Sequence, residues 1–325
     1  MKSLFRSLSA ATLALAVVAP QALAQDAYPT RPIRIVVPYP AGSALESVAR
    51  TVSQTYNDNL GQPAVIMNKP GGSGIIGTQE VARAQPDGYT LLLGTNQTHG
   101  ANSALYPNLP YDALGDFTPI AGLARMQHVL VVRKNLGVDS VRGLIDLASK
   151  PGANLNVGSS GNGSASHLVA EMFMRSADVK MAHIPYKGSG EVAQGLLGGF
   201  VDVSFATLPS VLPFIKDGSI VALAVASKDR APQLDSLPTL AQEGVRDVEA
   251  DAWTALFAPA GTPPAVLAKV SAVTIDAFKD PGVVEKIAAT GFVPEVSDGA
   301  AFKAFLAQDM QRWADVIKAA NVKLD

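Results

Sequence analysis

"LNVGSSGNGSASHLVAEMF", residues 155–173, passes from an apolar strand through a glycine- and serine-rich loop into an apolar helix. The spacing predicts a strand ending at Val157, a turn over 158–163, and a helix beginning at Ser164 or Ser166. A strand, a short loop and a helix in this order form the repeating unit of α/β proteins. The stretch therefore indicates the fold class and marks a first candidate binding loop.

The same unit recurs along the chain. Seven short runs are apolar throughout rather than at alternate positions, which is typical of strands covered by helices on both faces. We therefore predict an α/β fold, with strands over 33–37, 64–67, 90–93, 128–132, 155–157, 201–205 and 220–225.

A second series of these units begins after about residue 125, and no flexible linker precedes it. We therefore predict two lobes joined by strands over 118–133 and 249–258, with a cleft between them. Domain 1 would comprise residues 25–125 and 250–325, and domain 2 residues 126–249.

Local signals predict where several helices begin. Ser43 to Glu46 has the pattern of a capping box, in which the serine hydroxyl accepts from an early helix amide and the glutamate reaches back. Ser189 is predicted to cap a helix over 191–197. The C-terminal quarter is predicted to be mostly helical, with Trp313 and Ile317 on one apolar face.

The N-terminal 24 residues have the pattern of a secretory signal. Lys2 and Arg6 precede an apolar run over 8–19, and small residues lead to a predicted cleavage between Ala24 and Gln25. The apolar run is about a dozen residues, short of the roughly 20 that a spanning helix needs. We therefore expect residues 1–24 to be removed on export.

Composition excludes several classes of function. The chain has no cysteine, which rules out disulfides and thiolate chemistry, and its four histidines are far apart without a metal-binding pattern. Removing the two positive charges of the signal changes the formal net charge from −2 to −4. This diffuse acidity does not fit a nucleic-acid partner.

The loop over 158–164 is predicted to bind an anion. A helix N-terminus offers unpaired amides with partial positive charge, and the serines add hydroxyl donors. A phosphate-binding P-loop would need a lysine that is missing here, and Gly161-Asn162-Gly163 is too short to indicate a dinucleotide site. A serine nucleophile at Ser160 lacks the required glycine two residues later, and stays an alternative.

Donor-rich loops also follow strands of the first lobe, at 40–43 and 94–99. Ligands of open α/β sheets bind at the carboxyl ends of strands, where such loops converge. Two facing lobes with these loops predict a clamshell site for a small carboxylate.

The chain resembles the periplasmic solute-binding proteins of the tripartite tricarboxylate transporter family, also called the Bug family. The stretches that carry the resemblance cover almost the whole mature chain in order: "YPTRPIRIVVPYPAG", "NKPGGSGIIGTQEVARAQPDGYTLLLGT", "YDALGDFTPIAGLA", "SSGNGSASHLVAEMF", "IPYKGSG", "LLGGFVDVSF", "LPTLAQEG", "WTALFAPAGTP" and "WADVIKAANVK". The resemblance implies a type II-like Venus flytrap fold, cleft closure on a small carboxylate in the periplasm, and delivery to a membrane permease.

The resemblance also implies which residues contact the ligand. The family commonly has Gly-Gly-x-x-Asp after its first strand, whereas this chain has Ser43 and Glu46 in place of the second glycine and the aspartate. This departure leaves the ligand's identity open. With the loops above, the predicted ligand contacts are Tyr39, Ala41, Gly42, Ser43, Asn96, Thr98, Ser159, Ser160, Gly161, Asn162, Gly163, Ser164, His167, Tyr186, Lys187 and Asp202.

Several of these residues have two interpretations. His167 could donate to the ligand or pack inside its lobe, and Lys187 could pair with a carboxylate or stay solvated. Asp202 suits either a ligand amino group or a structural bond to loop amides. Tyr39, Tyr186 and Trp253 could form aromatic walls for an acid such as terephthalate, although Trp253 could equally pack in the core or line the hinge.

We expect a monomer that needs no cofactor or metal. Its expected partners are a small carboxylate, either a dicarboxylate or a tricarboxylate, and the permease subunits of a tripartite tricarboxylate-type transporter. The alternatives are an exported serine hydrolase that uses the glycine and serine loop, and a sensor that presents its ligand to a membrane receptor.

Overall fold

A computed structural model describes residues 28–320, which form two β-sheets flanked by helices. The first lobe is built on a six-stranded sheet in the order β11-β4-β10-β3-β1-β2, and the second on a five-stranded sheet in the order β7-β6-β8-β5-β9. The strands are β1 (Ile33–Val37), β2 (Ala64–Asn68), β3 (Thr90–Thr95), β4 (Phe117–Met126), β5 (His128–Arg133), β6 (Asn156–Ser159), β7 (Ala182–Pro185), β8 (Val203–Thr207), β9 (Ile220–Val225), β10 (Ala252–Pro259) and β11 (Val293–Asp298). The predicted α/β class and two-lobed architecture are confirmed.

All seven predicted strands are present within a few residues of their expected bounds. Strands β1, β2 and β3 are parallel, as are β6, β7 and β8, and β5 and β10 run antiparallel to their neighbours. The parallel strands of each lobe therefore end at the same edge of their sheet.

Helices cover the sheets and connect the parallel strands. They are α1 (Ala44–Leu60), α2 (Ile75–Ala82), α3 (Asn102–Leu105), α4 (Val141–Ala148), α5 (Ala165–Ser176), α6 (Ser189–Leu197), α7 (Leu208–Lys216), α8 (Pro264–Lys279), α9 (Pro281–Ala289) and α10 (Gly299–Ala320). A π-helix over Asn96–Ala101 and short 3₁₀ helices over Lys134–Leu136 and Pro232–Leu234 complete the described chain. Within residues 28–320, no helix has the length and apolar character that a membrane crossing requires.

The chain passes between the lobes at the two predicted segments. Only Gln127 separates the end of β4 from the start of β5. On the return, the Ala250 amide donates to the Ala226 carbonyl of the second lobe at 3.0 Å, and Ala252 pairs with Met126 of the first. β4 thus extends one residue past the proposed boundary at 125, and the division into 25–125 with 250–325 and 126–249 stays a prediction.

Helix α10 belongs to both lobes by its packing. Phe302 and Leu306 join a buried cluster of the first lobe. The predicted apolar residues Trp313 and Ile317 are buried, but they pack in the cluster that contains Phe173 of the second lobe. The helix therefore packs against the cores of both lobes.

Two predicted helix starts are wrong in detail. The Ser43 hydroxyl accepts no helix amide, and Glu46 accepts from the amide of Gly42 at 2.6 Å rather than from that of Ser43, so the predicted capping box does not form. Helix α6 begins at Ser189 itself, so Ser189 lies inside the helix and its N-cap is Gly188, which is extended and has no side chain to cap the helix. Ser164 caps α5 as predicted, accepting from the His167 amide at 3.3 Å.

Candidate functional site

A cavity of about 540 Å³ lies between the two lobes. Its walls are the segments that follow β1, β2 and β3 on one side and β6, β7 and β8 on the other. Met126, His128 and Ala252, from the strands that pass between the lobes, also line it. The cavity thus lies at the carboxyl ends of both parallel strand sets, where α/β folds bind small ligands.

Four helices begin at this cavity, namely α1, α2, α5 and α6. Ala44 and Leu45 from the first turn of α1 line it on one side, and Ala165 and Ser166 from the first turn of α5 line it on the other. First-turn amides have no acceptor within their own helix, and they carry the positive end of the helix dipole. Each lobe therefore presents donors suited to an anion.

Hydrogen bonds between serines fix the shape of the loop after β6. Ser166 Oγ accepts from the Ser160 amide at 3.0 Å and lies 3.1 Å from Ser160 Oγ and 3.0 Å from Ser164 Oγ. Gly161 and Gly163 have φ values of +127° and +70°, which L side chains rarely adopt. The glycines thus allow the sharp turn, and the hydroxyls link its two ends.

A pair of stacked histidines supports this loop from behind. The Gly163 amide donates to His167 Nδ1 at 3.0 Å, so this ring nitrogen acts as an acceptor. The His183 ring stacks on His167 at 3.7 Å between centroids, and its Nε2 lies 2.6 Å from Ser159 Oγ. Burial, and secondarily His167, lowers the pKa of His183 to about 4. The His183 ring is therefore uncharged at neutral pH.

On the first-lobe side, the residues that line the cavity carry neutral polar groups. The Ser43 Oγ is buried without a hydrogen-bond partner among the described residues. The Tyr39 hydroxyl lies 2.9 Å from Thr95 Oγ1, and burial raises the pKa of Tyr39 to about 12. The Asn96 Nδ2 is a further buried donor that no described group engages. These groups can donate to a ligand at neutral pH.

Full charges are scarce in the lining. Among the described residues that line the cavity, Lys187 and Glu191 alone carry a full charge at neutral pH, and both are exposed. Glu191 also accepts from the Lys187 amide at 3.2 Å. The positive potential offered to a ligand therefore comes mainly from helix amides and hydroxyls.

Comparison with known proteins identifies the family. The family model described as tripartite tricarboxylate transporter family receptor matches residues 48–322 of this chain. The chain belongs to this family. BugT of Bordetella pertussis is 36% identical over 300 residues, covering 92% of each chain. The family consists of solute-binding receptors, so this member is a receptor and not an enzyme.

Two solved structures show the same fold with a bound acid. Rpa4515 of R. palustris, solved with adipate, is 33% identical, has a TM-score of 0.88, and matches over 91% of this chain and 99% of its own. MatC of Rhodopseudomonas palustris, solved with malate, is 31% identical, has a TM-score of 0.81, and matches over 89% of this chain and 100% of its own. These receptors confirm the two-lobed binding-protein fold.

Half of the predicted contacts line the cavity of this receptor, namely Tyr39, Ser43, Asn96, Ser160, Gly161, Ser164, Tyr186 and Lys187. The other half are outside its lining, namely Ala41, Gly42, Thr98, Ser159, Asn162, Gly163, His167 and Asp202.

The side chains outside the lining have other partners. Thr98 Oγ1 accepts from the Thr95 amide and donates to its carbonyl, so it closes its own turn. Asp202 pairs with Arg133 at 2.7 Å and accepts from the Asn156 amide at 2.9 Å, which is the structural one of its two interpretations. His167 likewise packs inside its lobe. Trp253 is buried in the core of the first lobe and does not line the cavity.

Several lining residues were not predicted. The loop over 70–74 follows β2 and opens α2, and its Pro-Gly-Gly-Ser-Gly sequence is a signal that could have revealed it. Gln97, His128 and Ser166 also line the cavity. His128 sits inside an apolar strand, so no local pattern pointed to it.

Ser160 does not form a hydrolase site. Its hydroxyl pairs with Ser166 rather than with a histidine. The neighbouring Ser159 does bond to His183, but it is fully buried and cannot reach a substrate. This geometry agrees with the receptor role of the family.

Proposed function

We propose that this receptor is exported to the periplasm after cleavage between Ala24 and Gln25, closes as a monomer on a small carboxylate, and delivers it to a tripartite tricarboxylate-type permease. The ligand class that we propose is a dicarboxylate or tricarboxylate. Tyr39 and Tyr186 in the lining keep aromatic acids such as terephthalate among the candidates. The adipate and malate bound to related receptors support an acid ligand.

The observation that carries this proposal is the pair of facing helix starts, those of α1 and α5. A hydrogen bond to a charged group contributes about 1.5–3 kcal/mol, and a helix terminus adds about 0.3–1 kcal/mol. Four or five such bonds, less about 4 kcal/mol for association, leave about 8 kcal/mol, a micromolar dissociation constant. A buried cation is therefore not required.

Closure follows from the division of these donors between lobes. A ligand that touches both lobes makes both sets of bonds only in the closed form, so binding shifts the population towards that form. We propose Ser43, Asn96, Ser160, Ser164 and the first-turn amides as the contacts, with Lys187 at the rim.

The proposal is tested by titrating the mature receptor with aliphatic and aromatic carboxylates in a calorimeter. Matched variants then place the site: Ser43→Asp and Ser160→Asp each add a negative charge to one wall, and Ser43→Asn and Ser160→Asn add similar bulk without charge. Two carboxylates about 4 Å apart at an effective dielectric constant of 20 repel by about 4 kcal/mol.

We expect each aspartate variant to bind the best acid more than about a hundredfold more weakly than its asparagine partner. A loss confined to one lobe would contradict closure on a shared ligand. Indifference of the unmodified receptor to every acid would overturn the proposal.

A further inference from the structure

Two acceptors in the cavity lining are oriented by the protein, and the first is Gln97. Asn102 Nδ2 donates to the Ser73 carbonyl at 3.1 Å, which fixes Asn102 Oδ1 as an acceptor. Gln97 Nε2 then donates to that oxygen at 2.7 Å. The Gln97 amide cannot be flipped without breaking this chain of bonds, so its Oε1 is an acceptor. It is buried with no partner in the described part of the chain.

The second acceptor is His128, which is 1% exposed and lines the same cavity. Its Nδ1 lies 2.8 Å from the Ala250 carbonyl, so Nδ1 carries the proton and donates. Burial lowers the pKa of His128, with Arg312 adding to the effect and the Ala250 carbonyl and Asp251 opposing it. The ring is therefore neutral, and Nε2, which has no bond to any described residue, is left as an acceptor.

These two acceptors do not fit an ionised carboxylate. A carboxylate offers only lone pairs, so an oxygen placed against Gln97 Oε1 or His128 Nε2 would meet lone pairs of the protein. Buried acceptors that lose water without gaining a donor are costly, and sites built to bind a ligand hydroxyl discriminate strongly against analogues that lack it.

We propose that the ligand carries, besides a carboxylate held by the helix starts, a hydroxyl or ammonium group that donates to His128 Nε2 and Gln97 Oε1. This inference rests on the proposed function, and it narrows the ligand class from carboxylates in general to hydroxy or amino acids. The adipate of one relative lacks such a donor and the malate of another has one, so the relatives alone do not decide between these classes.

The test compares acids that differ only in the donor group. Calorimetric titrations would use succinate, malate and aspartate as one set, and glutarate, 2-hydroxyglutarate and glutamate as a second. We expect a donor-bearing acid in at least one set to bind at least about tenfold more tightly than its plain analogue. The hydroxyl and ammonium arms show which donor the receptor prefers.

Variants assign the preference to the two acceptors. Gln97→Met and His128→Phe remove them, and each should reduce the ratio of the two dissociation constants towards one. Gln233→Met is the matched control, because Gln233 Oε1 is also buried without a partner among the described residues but Gln233 does not line the cavity. The ratio is taken within each variant, so a general loss of stability cancels.

Proton uptake gives a second readout. Titration in buffers of different ionisation enthalpy should show no proton taken up by His128, so the unmodified receptor and His128→Phe should agree. Uptake of one proton that His128→Phe abolishes would mean that the ring binds a carboxylate as an imidazolium, and would overturn the inference. Equal binding of plain and donor-bearing acids would overturn it while leaving the proposed function intact, whereas binding of no acid would overturn both.

Discussion

We predict that His99 makes the folded receptor less stable in acid, and the size of the effect can be worked out from its surroundings. The ring is fully buried behind the cavity, stacked on Phe257 at 4.0 Å between centroids. Its Nδ1 lies 2.9 Å from Thr98 Oγ1, and its Nε2 has no partner among residues 28–320. Burial without an acidic partner lowers the pKa of His99 from 6.5 to about 3.

A histidine with a lowered pKa costs stability as the pH falls. Above about pH 6.5 neither the folded nor the unfolded chain protonates His99, so it has no effect there. Between 6.5 and about 3 the unfolded chain binds a proton that the folded chain cannot, which favours unfolding. At about pH 5 the difference is 1.5 pH units at 1.36 kcal/mol each, or about 2 kcal/mol.

Urea unfolding at about pH 7.5 and about pH 5 measures this loss, for the unmodified receptor and for His99→Leu. We expect the unmodified receptor to lose about 2 kcal/mol more of its free energy of unfolding than the variant does. His128 and His183 titrate in both proteins, so their contributions cancel in this double difference. Equal losses, within about 0.5 kcal/mol, would show that His99 is solvated or paired and would refute the reasoning.

Three further predictions concern packing and ion pairs. Gly77→Ala should lower the free energy of unfolding, measured by urea titration, by about 1–3 kcal/mol, because the new Cβ would lie 2.8 Å from the Lys69 carbonyl. Gly190→Ala should raise it by about 0.5–1 kcal/mol, because a Cβ there would meet nothing within 4 Å. Asp202→Asn should destabilise the receptor by about 1–3 kcal/mol but leave acid affinity within about twofold by calorimetry; a large loss of affinity would place Asp202 at the ligand. Asp309→Ala should lower the free energy of unfolding by about 2–4 kcal/mol, because the indole N–H groups of Trp253 and Trp313 would lose their shared acceptor. An unchanged melting temperature would contradict this.

The strands that could be predicted are those whose sequence is a continuous apolar run. Continuous apolar runs revealed seven of them, and the crossing segments contained β4 and β10. β7 and β11 lie at sheet edges and were missed because polar residues and prolines interrupt their sequences, whereas the edge strands β2 and β9 contain continuous apolar runs. Their residues are at least partly accessible, and a half-exposed edge strand has no need for a continuous apolar run.

Most loops of the candidate site could be predicted, with the exception of that over 70–74, but the orientation of individual side chains could not. Glycine and serine after a strand indicate a helix start that is open to a ligand, which located the segment over 158–164. Whether a side chain in or near such a loop reaches the ligand depends on distant partners. Asp202 accepts a hydrogen bond from Arg133, 69 residues away, and His167 accepts one from the amide of Gly163 in its own loop.

His128 and Gln97 line the cavity, but their sequence context did not predict this. His128 lies in a strand whose neighbours Val129 to Val132 are all fully buried, so its sequence context is that of a core residue. It reaches the cavity only because β5 starts one residue after β4 leaves the first lobe. The property that makes it functional is its place at the crossing, which exists only once both sheets have formed.

The position of α10 restricts how the cleft can open. The lobes are joined at Gln127, at the return near Ala250, and through α10, whose Arg312 and Trp313 both donate to Asp309 while Trp313 packs in the second-lobe cluster. Packed cores resist continuous deformation, so a rotation of the lobes must be absorbed at these three places. Because two of them adjoin His128 and Ala252 of the lining, the residues that bend are neighbours of those that face the ligand. In the proposed mechanism, opening the cleft would therefore also move His128, the proposed polar partner of the ligand, so that release would be coupled to lobe movement.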